Sequence, residues 1–192
     1  MTRFALVLFS FSLVSSCIFD TRTPDSPAEP SANFKPPTEP SDVFSNMVNA
    51  FADKNALNYR RSFADSSTAG RSFVFEPTSQ ALSKYGVFLG WDRQSEEQYF
   101  SNITVQLQPL MTPSLQFNFV TQSVSTDSAF FEGSYQLGVP HTRSSVPQTA
   151  LGQAHFYLIK DNVQNWVIWC WVDLANQQGD FSWSDVKGEF GQ

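Results

Sequence analysis

The chain has 192 residues, a formal net charge of −6 and two cysteines; 16% of its residues are charged and 15% aromatic, led by 19 Phe. That length suits one domain with a tail. The acidic balance argues against a nucleic-acid binder, two cysteines cannot build a disulfide framework, and the aromatic load argues against a fully disordered chain.

Arg3 is followed by a mostly apolar run, Phe4 to Val14, then by Ser15, Ser16 and Cys17. A charged start, a short apolar run and a small-residue cleavage site describe a secretory signal peptide, and the run is too short to span a bilayer. Leu13-Val14-Ser15-Ser16-Cys17 resembles the bacterial lipobox. That resemblance implies cleavage before Cys17, acylation of its thiol and a chain held to a membrane. Ile18, not Asp, follows the cysteine, which by resemblance to Gram-negative sorting points to the outer membrane, facing the periplasm.

Residues 17–40 form the expected tether after the 1–16 signal peptide. Pro24, Pro27, Pro30, Pro36, Pro37 and Pro40 favour extended polyproline II here. Residues 41–192 are then one domain. Ser41 is the expected N-cap of a first helix, with Asp42 in its first turn and Phe44, Met47, Val48 and Phe51 at helical spacing. Asn55 caps a second helix carrying Leu57, Tyr59 and Phe63. Residues 66–70 read as a loop, Phe73 to Glu76 as a short strand, and 78–94 as weakly patterned. Ser95 opens a helix whose Glu96 and Glu97 suit the helix dipole, with Tyr99, Phe100, Ile103 and Leu107 apolar.

Period-two patterning follows in four segments, around Leu115–Phe119, Ala129–Leu137, Gln153–Ile159 and Trp166–Asp173. These read as antiparallel strands. Ser182-Trp183-Ser184-Asp185 is a capping turn leading to a short terminal helix. Helices first and strands after give an α+β fold, with N-terminal helices packed on a curved, mainly antiparallel sheet.

Over residues 41–175 this order, the helix pair around Phe44–Phe63 and the closing Trp166-Val167-Ile168-Trp169-Cys170-Trp171-Val172-Asp173 strand resemble the nuclear transport factor 2-like (cystatin-like) cone superfamily. More narrowly, Cys17-Ile18-Phe19-Asp20-Thr21-Arg22-Thr23-Pro24, the tether and Ser182-Trp183-Ser184-Asp185-Val186-Lys187-Gly188 are similar to uncharacterised bacterial lipoproteins of that fold. The resemblance implies a cone whose open end often forms a pocket, and a sheet that often dimerises. Its enzymes place an Asp, a His or a Tyr in that pocket.

No nucleophile elbow, phosphate loop, Cys-x-x-Cys or H-E-x-x-H occurs, so no catalytic set, metal site or cofactor is expected. Cys17 is the lipid site. Tyr59, Trp91, Tyr99, His155, Trp169, Trp171 and Asp173 are the candidate pocket or interface residues. His155 inward would titrate near neutrality and move a proton; outward it is solvated, and the more apolar Ala154, Phe156 and Leu158 favour outward. Asp173 is either a base raised by aromatic surroundings or, on the favoured reading, a hydrogen-bond acceptor at the strand end. Strict alternation puts Val167, Trp169, Trp171 and Asp173 on one face, and Trp166, Ile168, Cys170 and Val172 on the other. Two apolar faces imply that the outer one is covered by Trp183 and Phe190, by a partner or by a second copy. Cys170 reads as a small buried hydrophobe.

The expected function is a membrane-anchored envelope lipoprotein whose non-catalytic domain binds a small apolar ligand or a protein partner. The alternatives are a small acid-base enzyme of isomerase, cyclase or dehydratase type working in the cone, and a structural component of an outer-membrane assembly.

Overall fold

The computed structural model describes residues 33–192. The signal peptide, Cys17 and most of the tether lie outside the described residues. Helix α1 (Pro40–Asp53) starts two residues before the expected Ser41 N-cap position would allow. Its N-cap is Glu39, with Pro40 as its first helical residue, where a missing N–H costs nothing. Asp42 accepts the Glu39 N–H at 3.1 Å and closes the first turn. Lys54, in the left-handed region at φ 56°, ends the helix. The buried stripe of α1 is Val43, Phe44, Met47, Ala50 and Phe51.

Asn55 caps α2 (Ala56–Arg60) through the Asn58 N–H. The expected loop at 66–70 holds one helical turn, α3 (Ser66–Ala69), capped by Asp65 and ended by Gly70. Strand β1 (Val74–Glu76) is followed by α4 (Ser79–Lys84), capped by Thr78, and by a 3₁₀ turn at Gly86–Phe88. Both sit in the stretch that periodicity left blank. Helix α5 (Arg93–Gln106) begins two residues earlier than Ser95, because Asp92 takes the cap and Ser95 completes the reciprocal pair.

Four long strands complete the sheet: β2 (Ser114–Val124), β3 (Ser128–Gly138), β4 (Thr149–Lys160) and β5 (Trp166–Leu174). The order is β1-β5-β4-β3-β2. All long-strand pairs are antiparallel, and β1 adds to β5 in parallel at the edge. The fold class is therefore the expected α+β cone, helices against a curved sheet.

Two register shifts bend the sheet. One leaves Val120 extra on β2, between Phe119 and Thr121. The other falls on β5, where Tyr157 faces Cys170 but the next residue, Leu158, faces Ile168. Trp169 is the extra residue. A bulge of this kind inverts the facing of everything beyond it. It corrects the expected alternation: Ile168 and Trp171 are both inside, while Trp169 turns out.

The chain before α1 is docked, not merely a spacer. The Asn46 amide on α1 imitates a backbone unit, donating to the Lys35 carbonyl at 2.6 Å and accepting the Lys35 N–H at 3.0 Å. Trp166 N–H donates to the Pro37 carbonyl at 2.8 Å. The domain's contacts thus begin ahead of Ser41.

Helix α6 (Trp183–Phe190) is capped by Ser182, whose side chain exchanges bonds with Asp185. Trp183, Val186, Lys187 and Phe190 lie on one stripe and are all buried. Trp183 crosses the ring of Trp171 at 4.5 Å and 85°, and its ring also meets those of Tyr135, Phe117 and Phe51. These are inner-face residues. The terminal helix therefore fills the concave side, which overturns the expectation that Trp183 and Phe190 cover the outer face. At Gly188 an added Cβ would stand 2.3 Å from the Tyr85 ring, so only glycine lets α6 sit this deep.

Candidate functional site

Inside the cone two carboxylates are held by surrounding elements. Glu96, on α5, is fully buried. It accepts from Tyr59 Oη at 3.0 Å, from Trp91 Nε1 at 2.7 Å and from the Lys187 ammonium on α6. The same ammonium lies 3.4 Å from the Phe75 ring centre and 3.6 Å from that of Trp171, with Trp91 and Tyr99 beyond. Aromatic faces attract a desolvated cation, and the Glu96 charge adds to that attraction. Burial nonetheless pushes the Lys187 ammonium down to about 8, against the opposing pull of Glu96.

Asp173, on β5, accepts from Tyr135 Oη at 2.7 Å, from the Ser184 N–H at 2.7 Å and from the Ser184 hydroxyl. Burial raises its carboxyl above the ordinary range, while those bonds and Lys187 pull it back. Tyr135 Oη also accepts the Trp183 N–H at 2.8 Å, so two orphan N–H groups at the start of α6 are satisfied by the β-sheet. Trp183 Nε1 donates to Tyr99 Oη at 2.7 Å. Gly152 makes room for the Tyr135 hydroxyl: an added Cβ there would lie 2.3 Å from Tyr135 Oη. Burial raises the phenols of Tyr59, Tyr99 and Tyr135 well above their ordinary value.

Of the candidate residues, Tyr59, Trp91, Tyr99, Trp171 and Asp173 converge here. Every one is buried, and their polar atoms are bonded to the chain itself, apart from Trp171 Nε1. A general acid or base has to reach a substrate proton directly or through one water. In this interior those positions are taken by α6. What the arrangement does is clamp the terminal helix.

His155 and Trp169 lie on the other face of the sheet. His155 Nε2 is 3.6 Å from a Glu132 oxygen, both side chains partly exposed. Trp169 carries the Arg71 guanidinium 4.1 Å above its ring and neighbours Tyr157. Cys170 is buried, and burial pushes its thiol up to about 11, away from reactivity at neutral pH.

Two residues of the interior escaped sequence reading. Glu96 reads from the sequence as a first-turn carboxylate that suits the helix dipole, yet Glu96, Tyr99, Phe100 and Ile103 fall on one helical stripe and are buried. Lys187 falls likewise among Trp183, Val186 and Phe190. A charge on an apolar stripe is the signal for a buried ion pair.

An open concavity of about 430 Å³ lies between α1 and the outer strands. Its walls are Phe44 and Val48 from α1, Phe117 and Phe119 from β2, and Phe131 from β3. Phe44 is the hub, with ring centres 5.4, 4.4 and 4.8 Å from Phe117, Phe119 and Phe131. Phe117 and Phe119 stack at 5.3 Å and remain partly exposed. Phe117 also stacks on Trp183, so the groove floor rests on the helix that fills the cone. Helical spacing puts Phe44 on the apolar side of α1 and alternation puts Phe117, Phe119 and Phe131 on strands, but neither brings them together, since α1 and β2 meet only through the fold. A larger trough of about 770 Å³ runs beside the β1–β5 edge. It reaches Asp173, but both of that carboxylate's oxygens are already bonded. Among the described residues no three His, Cys, Asp or Glu side chains are grouped to hold a metal. Among them, too, no helix is long and apolar enough to cross a membrane.

Comparison with known structures identifies the class: the domain has the nuclear transport factor 2-like cone fold. A nuclear transport factor 2-like superfamily protein from Salmonella enterica serovar Typhimurium superposes with a TM-score of 0.51 at 10% identity, covering 72% of this chain and 90% of that one. A conserved protein from Planctomyces limnophilus gives 0.52 at 10% identity, over 69% and 89% of the two chains. At such identity the likeness is one of fold alone. No family model and no curated protein matches the sequence.

Proposed function

We propose that this chain is a lipid-anchored envelope protein whose domain is a non-catalytic binding module, and that its small apolar ligand seats in the phenylalanine groove, not inside the cone. One observation carries the reading. The interior where this fold could offer an acid or a base is occupied by α6, whereas the groove beside α1 is apolar and open. Concave, largely apolar sites with few polar groups are the usual small-molecule sites. Anchoring rests on the lipobox pattern at Leu13–Cys17 and the proline-rich segment after it.

Titration of the unacylated chain of residues 17–192 with the fluorescent probe N-phenyl-1-naphthylamine tests the groove. Saturable enhancement is expected, lost in Phe117→Asp and weakened in Phe119→Ser, with far-UV circular dichroism unchanged. Equal enhancement in all three proteins overturns the reading. For the anchor, labelled palmitate is expected in the wild type and not in Cys17→Ser; equal labelling overturns it.

A further inference from the structure

The groove's chemistry narrows its ligand. Its walls are phenylalanine and valine, and its rim consists of Ser41, Ser45, Asn49 and Gln122. Among the described residues no groove-lining side chain carries a charge, in contrast to the pocket around Arg60, Asp65 and Arg93. The rim groups differ in what they can still do. Ser45 Oγ is turned back to the Ser41 carbonyl, and the Asn49 amide nitrogen donates to the Asn33 carbonyl. Gln122, exposed on β2, has no side-chain hydrogen bond among the described residues, so its amide presents both a donor and an acceptor. The nearest acidic groups on α1 are also spoken for: Asp42 holds Lys35 at 2.8 Å, and Asp53 accepts from Asn33 at 3.0 Å. Among the described residues the groove therefore offers no free cation to a carboxylate or phosphate head, and the chain's net charge of −6 opposes an anion further.

Resting on the reading above that the groove is the ligand site, we infer that its ligand is an uncharged amphiphile: an alkyl or aryl body with a hydroxyl, ester or amide head. The body lies against Phe44, Phe117, Phe119 and Phe131, and the head meets the Gln122 amide at the rim. A charged head gains no partner there and loses hydration, so it binds more weakly than a neutral one on the same tail.

The test displaces N-phenyl-1-naphthylamine from the chain of residues 17–192 with three ligands that share one ten-carbon tail: 1-decanol, decanoate and decylammonium, at pH 7.5 and two salt concentrations. Decanol is expected to bind at least about tenfold tighter than either ion, with little salt dependence. Along the series hexanol, octanol and decanol, affinity is expected to rise about fourfold per methylene until the groove is full. Gln122→Ala is expected to weaken decanol severalfold and leave the fluorescent probe unchanged. Decanoate or decylammonium binding as tightly as decanol overturns the inference while leaving the groove as ligand site. Binding of all three that survives Phe117→Asp overturns the groove itself.

Discussion

The two concavities of this domain are built from the same kinds of side chain and differ in what fills them. The cone interior joins Phe75, Trp91, Tyr99 and Trp171 to two carboxylates, and the chain supplies its own ligand, α6, with Lys187 as the cation. The groove beside α1 has aromatic walls too, but neutral groups at its rim and, among the described residues, nothing from the chain inside. Aromatic density alone therefore does not mark a binding site. The difference lies in whether the polar atoms are already satisfied: where they are, the aromatics serve stability, and where the rim is open, they remain available to a guest.

The sharpest test of this contrast removes the interior charge. Lys187→Met leaves Glu96 buried without a countercharge and is expected to cost about 3–5 kcal/mol in urea unfolding. Glu96→Gln combined with Lys187→Met should recover much of it, because no unpaired charge remains. Trp171→Ala should cost a similar 3–5 kcal/mol, whereas Trp171→Phe should cost far less, since Trp171 Nε1 has no partner among the described residues. Phe119→Ser, at the half-exposed groove wall, is expected to lose only about 1–2 kcal/mol while weakening the probe. If it destabilises as much as Trp171→Ala, the two concavities are one core.

Acid-base linkage offers a subtler measurement. The folded chain releases the Lys187 proton from about 8, whereas an unfolded lysine holds it to about 10.4. In that window the unfolded chain binds more protons, so stability rises with pH. Burial keeps Tyr59, Tyr99 and Tyr135 protonated in the fold after unfolded tyrosines ionise near 10, so above that pH stability falls again. Melting temperature should therefore pass through a maximum near pH 10 in the wild type, and its rise from pH 8 should flatten in Glu96→Gln/Lys187→Met. The smallest effect belongs to the outer face: His155→Gln, beside partly exposed Glu132, should change stability by no more than about 0.5 kcal/mol.

Local patterns made much of this legible. Period-two runs marked β2 to β5, Asn55 marked α2, and Ser182 with Asp185 marked α6. What was hidden depends on partners distant in sequence. The parallel docking of Val74–Glu76 on β5 spans about a hundred residues and leaves no periodic trace. Helix α4 is too short to show a stripe. The Trp169 bulge is invisible because both faces of β5 are apolar, so alternation looks unbroken while the facing inverts. Glu96 and Lys187 were hidden by the expectation that charges face water, although their places on apolar stripes carried the warning. The groove was hidden because its phenylalanines come from three separate elements.

The position of α6 in the chain also sets an order of events during synthesis. Residues 183–190 reach the interior only after every element they contact has been made. Until then Glu96 lacks its cation, Asp173 lacks Ser184, and the faces of Phe75 and Trp171 stand open. The interior contacts of α6 are thus the ones that no shorter piece of this domain, ending before residue 183, can make.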